Sequence, residues 1–238
     1  MNRAIILAGG SGTRIGDIIP KQFILVCGKP IIAHTIQVFD NHPLIDDIIV
    51  VSKKEYVDKV KSIVNDFGFK KLSKVIMGGH KRFESSLAAI KSLENEDNND
   101  VLLFHDCARP LVSAQILTNC LNAMKYNEAV TVAIKTTDTI YISDGGKYIN
   151  KIPDRKFLFN AQTPQCFKLK TIRHAYSMAL KDPDFIPSDE CCVVKNYIPS
   201  CKINIIEGES QNFKITYKED IDLFRIIQES YIHNKKIL

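Results

Sequence analysis

The chain has 238 residues, 45% of them hydrophobic and 25% charged, with a formal net charge of +5. That is the make-up of a globular protein with room for one large buried core, and residues 1–238 are read as a single domain. The lysines and arginines are spread without an aromatic-interleaved basic patch, and no apolar run approaches the roughly 18 residues of a membrane span, so neither nucleic acid nor a membrane is expected as a partner.

The chain opens on a short apolar run, residues 4–7, expected to be a buried strand. A glycine-rich loop follows at once, with Gly9, Gly10, Gly12 and Gly16, and two cations accompany it, Arg14 and Lys21. Glycines let backbone N–H groups turn toward an anion, arginine adds a fork of donors and lysine a compact charge. The expectation is a loop that grips nucleotide phosphates. It is not a P-loop, because no Gly-Lys-Ser/Thr closes it. It is a poor dinucleotide fingerprint, because the third glycine comes one position late and Ser52, Lys53 and Lys54 stand where a ribose-binding acid belongs.

Pro30 then begins a helix over residues 30–39. Residues 47–51 form a second strand, 53–67 a helix, and 75–77 a third strand that ends at Gly78-Gly79. A helix follows over 82–93, and a strand over 101–105 that runs into His-Asp-Cys-Ala-Arg-Pro. Residues 114–124 are helical and 130–134 a fifth strand. This alternation predicts an α/β fold with a doubly wound, mostly parallel sheet, whose ligands bind beyond the carboxyl ends of the strands. Residues 139–143 and 147–152 are expected as two strands around the turn Asp144-Gly145-Gly146, a protruding β-hairpin arm. Residues 161–167 carry Gln162-Thr163-Pro164-Gln165. Helices over 169–180, 189–195 and 219–231, a strand over 202–206 and a frayed tail over 233–238 complete the chain. Seven cysteines (27, 107, 120, 166, 191, 192, 201) are odd in number and lack Cys-x-x-Cys. With no charged-then-apolar leader, they predict reduced thiols in a cytoplasmic protein.

At the end of the fourth strand Asp106 can ligate Mg²⁺ together with nucleotide phosphates, or it can cap a helix or form a loop salt bridge. His105 reads as a packed or hydrogen-bonded residue rather than a general base. For Arg82 two readings stay open, a surface pair with Glu84 or another carboxylate, or a role at the Gly-Gly turn.

Together these motifs resemble those of the sugar-phosphate nucleotidyltransferases: LAGGSGTRIG followed by PKQF, the Gly-Gly turn, His-Asp-x-Ala-Arg-Pro, Gln-Thr-Pro-Gln and Asn-x-Lys-x-Thr. Within them the chain is similar, over about residues 3 to 230, to the cytidylyltransferases that join CTP to a polyol phosphate. The group includes the ribitol 5-phosphate and the 2-C-methyl-D-erythritol 4-phosphate enzymes. The resemblance implies Mg²⁺ as cofactor, with Asp106 near the metal, and Arg14, Lys21 and Lys214 neutralising charge during transfer. It implies nucleotide contacts at Leu7, Ala8, Gly9, Gly10, Gly12 and Thr13, and at Gly79, His80, Ser85 and Asp106. His80 departs from the acidic residue usual at that position. It implies acceptor contacts at Arg109, Thr139, Arg155, Thr163, Ser188 and Thr216, and a homodimer built through an arm at about 137–160. The phrases around Thr139 and Arg155 look more like the ribitol branch, and the His-Asp-Cys-Ala-Arg-Pro motif more like the methylerythritol branch. D-ribitol 5-phosphate is the favoured acceptor and methylerythritol phosphate the alternative. Two other classes are weighed: an NAD(P)-dependent oxidoreductase, opposed by the loop cations, and a nucleotide-binding dimer without turnover.

Overall fold

The computed structural model describes residues 1–10 and 19–237. Its centre is a seven-stranded sheet. The strands are β1 (Asn2–Ala8), β4 (Asp47–Ser52), β5 (Leu72–Met77), β6 (Val101–Asp106), β7 (Ala129–Lys135), β8 (Phe159–Lys168) and β9 (Ile203–Glu207), in the order β5-β4-β1-β6-β8-β7-β9. All pairings are parallel except those of β8, which runs antiparallel to both β6 and β7. A small ribbon, β2 (Leu25–Val26) with β3 (Lys29–Pro30), stands apart from it.

The central strands are apolar without interruption because both faces are covered. Ala4, Ile6 and Ala8 of β1 point to one face, where they meet α1 (Ile31–Asp40), α2 (Val57–Phe67) and α4 (Ala114–Ala123) through Ile36, Phe39, Val60 and Leu117. Ile5 and Leu7 point to the other, where α3 (Arg82–Lys91), α5 (Leu169–Ala179) and α6 (Glu190–Tyr197) supply Ala89, Ile172, Tyr176 and Val193. The period of two along a strand thus builds two cores around one sheet. A third cluster packs α7 (Lys218–Ile237), through Ile221 and Phe224, under Ala108, Leu111 and Ile215.

Three expectations need correction. Two strands are not formed in the arm: residues 137–152 make a single antiparallel bridge, Ile142 to Lys151, though the chain does reverse around Asp144, whose amide donates to Asn150 Oδ1 at 3.0 Å. None of the described residues buries this segment, and an isolated hairpin is marginal in water. Where a frayed tail is expected, the helix α7 runs on to Ile237. The segment holding Gln-Thr-Pro-Gln, for which the sequence predicts no element, is a ten-residue strand, β8. Proline argues against a central strand because it cannot donate to a ladder. Pro164 is accommodated because its pairing with β6 begins only at Gln165, and the register with β7 breaks opposite it, between Thr131 and Ala133. The expected helix over 53–67 is a 3-10 turn, Lys54–Tyr56, followed by α2. No helix among the described residues is long and apolar enough to cross a membrane.

Candidate functional site

Register places four strand ends side by side. Leu7 of β1 pairs with Asp106 of β6, Ala8 with Ser52 of β4, and Ser52 with Met77 of β5. Above them lies a cleft of about 330 Å³, lined among the described residues by the end of β1 through Gly10, by Lys21, Gln22 and Lys53, by the turn from Gly79 to Arg82 with Ser85, by Asp106 to Ala108, and by Lys214 and Thr216. That size is enough for a small ligand. The loop residues Gly12, Thr13, Arg14 and Gly16 lie outside the described residues.

The turn after β5 needs its glycines. A Cβ on Gly78 would collide with Ser85 and Val51, and one on Gly79 with Glu84. Glu84 secures the turn by accepting from the His80 and Lys81 amides at 2.6 and 3.1 Å, contacts that hold its carboxyl below the usual range. His80 is exposed at the rim and Ser85 is buried at the start of α3, so backbone and hydroxyl donors face the cleft together.

Asp106 is the centre of charge. Its Oδ1 accepts from Arg82 Nη1 at 2.7 Å, its Oδ2 lies 2.7 Å from Lys214 Nζ, and Arg109 Nε lies 3.7 Å away. Burial opposes its ionisation, but Arg82, Lys214 and Arg109 together overcome this and hold the carboxyl far below the usual carboxylate range. Arg82 therefore pairs with Asp106 and not with Glu84. Its other arm, Nη2, donates to Glu190 Oε2 at 2.7 Å. Burial pushes the Glu190 carboxyl up while Arg82 and the Ser86 hydroxyl pull it down. The guanidinium is held further toward its charged form by both acids, against its own burial, and the two groups form an ion pair.

Lys214 is positioned by its neighbours in sequence. Asn212 is buried and donates from Nδ2 to Gln162 Oε1 and Thr163 O at 3.1 and 3.0 Å, and the Ile215 amide donates to Ala108 O at 2.8 Å. Lys21, on a 3-10 turn after the loop, donates to Ile215 O at 2.6 Å, so the two lysines converge on one stretch of backbone.

Behind Asp106 runs a hydrogen-bonded chain. The Asp106 amide donates to Thr163 Oγ1 at 3.1 Å, that hydroxyl meets His105 Nδ1 at 3.0 Å, and His105 Nε2 lies 3.0 Å from Arg109 O. His105 is wholly buried against Phe39, and burial lowers its pKa to about 4. It is neutral at pH 7, so it donates from Nε2 and accepts at Nδ1. Buried neutral histidine makes the fold acid-sensitive: between its unfolded value of about 6.5 and its folded value, only the unfolded chain takes up the proton. Between pH 7 and pH 5 the parent is expected to lose about 2 kcal/mol more stability than His105→Gln. Urea unfolding at the two pH values measures this, and equal losses would contradict it.

Of the expected residues, Leu7, Ala8, Gly9, Gly10, Lys21, Gly79, His80, Ser85, Asp106, Lys214 and Thr216 line the cleft. Thr163 and Arg109 sit behind it: the Thr163 hydroxyl is engaged as above, and Arg109 donates to Asn212 O and Ala161 O at 2.8 and 3.3 Å. Thr139, Arg155 and Ser188 are exposed and away from the cleft, and Arg155 donates to Thr137 O at 2.6 Å. Unforeseen lining residues include Gln22, whose Nε2 donates to Ala8 O at 3.1 Å, and Lys53. Lys53 stands just beyond β4, where a dinucleotide-binding fold carries its ribose-binding acid.

Asp106 is the sole acid lining the cleft among the described residues, and no cluster of three or more His, Cys, Asp or Glu exists there to cage a metal. One carboxylate plus nucleotide oxygens and water is a donor set that suits Mg²⁺. Each Asp106 oxygen keeps a lone pair beyond its ion pair, so the residues fit such an ion.

A family model described as IspD, 2-C-methyl-D-erythritol 4-phosphate cytidylyltransferase, matches residues 3–230. The 2-C-methyl-D-erythritol 4-phosphate cytidylyltransferase of Thermobifida fusca is 37% identical over 222 residues, covering 92% of this chain and 89% of that protein. The bifunctional ribulose 5-phosphate reductase/CDP-ribitol pyrophosphorylase Bcs1 of Haemophilus influenzae is also 37% identical, over 94% of this chain and 47% of its own length. The crystal structure of 4-diphosphocytidyl-2C-methyl-D-erythritol synthase from Anaerococcus prevotii superposes with a TM-score of 0.83 at 30% identity, covering 96% of this chain and 98% of that one.

Proposed function

The chain belongs to the 2-C-methyl-D-erythritol 4-phosphate cytidylyltransferase (IspD) family, and from that premise we propose that it joins CTP to 2-C-methyl-D-erythritol 4-phosphate and releases pyrophosphate. The observation that carries this reading is the convergence of Lys21, Lys214 and Arg82 on the cleft that Asp106 closes. The cytosine lies against the Gly79–Ser85 turn and the triphosphate against the end of β1 at Gly9 and Gly10, beside Lys21. A phosphate oxygen of the acceptor attacks the α-phosphorus as the bond to the β-phosphate oxygen breaks. A phosphate monoester is already largely dianionic near pH 7, so no strong base is needed. The described residues of the cleft offer none: His105 is neutral and enclosed, and burial pushes the Cys107 thiol up. Catalysis is then positioning plus cations aimed at developing charge. Mg²⁺ held by Asp106 would neutralise phosphate charge when bound.

A second acceptor has one specific observation in its favour. The Haemophilus protein, named in part a CDP-ribitol pyrophosphorylase, is as similar in identity as the Thermobifida protein. Pyrophosphate release with each acceptor decides between them: methylerythritol phosphate is expected to give the higher kcat/KM, and a preference for D-ribitol 5-phosphate would reverse the assignment.

The arm is proposed to pack on a second copy of this chain. Ile140, Tyr141, Ile142, Tyr148, Ile149 and Ile152 are between 40% and 83% exposed, an apolar load that one chain leaves uncovered. In that dimer Thr139 and Arg155 would reach the partner's acceptor site. Sedimentation should show a dimer, and Arg155→Ala should raise the acceptor KM about tenfold with the CTP KM unchanged, the loss of one charge-assisted hydrogen bond. A monomer, or an unchanged acceptor KM, would count against the arm's role.

A further inference from the structure

We infer that Glu190 is a positioning residue for the nucleotide: from behind the cleft wall it holds Arg82 Nη2, so that Nη1, which donates to Asp106 Oδ1 at 2.7 Å, stays at the cleft wall with its second N–H directed at the triphosphate. The inference rests on reading the cleft as the CTP site. Glu190 does not line the cleft and is 1% exposed, yet both of its carboxylate oxygens are used. Oε2 accepts from Arg82 Nη2 at 2.7 Å and Oε1 from Ser86 Oγ at 2.6 Å.

The carboxylate is itself held by a rigid frame. Glu190 is the first residue of α6, and Asp189 caps that helix by accepting from the Cys192 amide at 2.8 Å. Gln165 of β8 then ties the cap to the sheet, donating to Asp189 Oδ2 at 2.8 Å and accepting from the Cys191 amide at 3.2 Å. The anchor therefore connects the sheet to Arg82 at the first turn of α3.

A guanidinium is a planar fork, and fixing one arm sets the direction of the other. An arginine already fixed at one end loses less conformational freedom when it meets a phosphate. Without the Glu190 charge, Arg82 keeps its hydrogen bond from Nη1 to Asp106 Oδ1 while Nη2 loses its partner acid. The fork would then collapse onto the Asp106 carboxylate in a bidentate pair and withdraw from the ligand.

Calorimetric titration with CTP and Mg²⁺, beside steady-state turnover, tests this on the parent, Glu190→Gln and Ser86→Ala. Glu190→Gln is expected to weaken CTP binding about tenfold, the loss of one hydrogen bond to a charged group. Ser86→Ala, which removes only the second contact, should weaken it about threefold. The acceptor KM should not move in either. A merely structural role would lower the folded fraction, and with it kcat, while the folded molecules bound CTP as the parent does. Parent-like CTP affinity in both variants would overturn the proposal. If Glu190→Gln does not fold, Ser86→Ala decides alone by the same criterion. Failure of the parent to bind CTP would instead overturn the reading of the cleft, so the two failures are separate.

Discussion

Lys214→Ala is expected to lower turnover about 10²- to 10³-fold, the loss of one donor aimed at developing charge. The Lys214 side chain is 39% exposed and faces the cleft while its Nζ sits 2.7 Å from Asp106 Oδ2. Its backbone is fixed on both sides, by the buried Asn212 and by the Ile215 amide on Ala108 O. The ammonium is thus presented by a rigid segment and needs little rearrangement at the moment of transfer. Removing it should leave the fold almost as stable, because a half-exposed ion pair contributes about 1 kcal/mol or less. Lys21→Ala should behave alike, since its ammonium reaches the same backbone through Ile215 O. Steady-state pyrophosphate release with thermal melting separates the two effects. Turnover within tenfold of the parent would remove these lysines from the mechanism.

Asp106→Asn should damage both stability and activity. The parent carboxylate is 10% exposed in its side chain and compensates Arg82, Arg109 and Lys214. An amide of the same shape leaves these cations crowded without the acid they share, and Glu190 pairs with Arg82 alone among the three. Removing one partner of a buried charge pair costs about 3 kcal/mol at neutral pH, or a fall of about 6–12 °C in Tm for a chain of this size. The sign with pH follows from the depressed folded pKa. The contribution is present above the unfolded carboxylate value of about 3.9 and is lost as pH falls below it. The gap between parent and variant should therefore close in acid. A variant as stable as the parent at pH 7 would mean that the three cations do not depend on this acid. Turnover should fall as well, because the group proposed to hold Mg²⁺ is gone.

Much of this was legible before any coordinates. β1, β4 and β6 are short runs of apolar residues between helical periodicities, and strands buried on both faces leave that trace. Lys21, Asp106 and Lys214 were legible because each sits in a motif at a strand end or in Asn-x-Lys-x-Thr. β8 was hidden by Pro164, whose place in a register break cannot be read from a single strand. The arm's strands were over-read, because turn chemistry at Asp144-Gly145-Gly146 fixes a reversal but not a ladder. The Arg82–Glu190 pair joins residues 108 positions apart, and no spacing rule reaches that far. Thr163 was expected as a ligand because Gln-Thr-Pro-Gln is a motif; that its hydroxyl meets the Asp106 amide and His105 depends on β8 lying beside β6.

The position of the triphosphate decides the mechanism. A crystal structure with CTP and Mg²⁺ bound should show phosphate oxygens within hydrogen-bond reach of Lys21 and Lys214 Nζ, the cytosine against the Gly79–Ser85 turn, and Asp106 facing the metal. A nucleotide whose phosphates lie away from both lysines would contradict it.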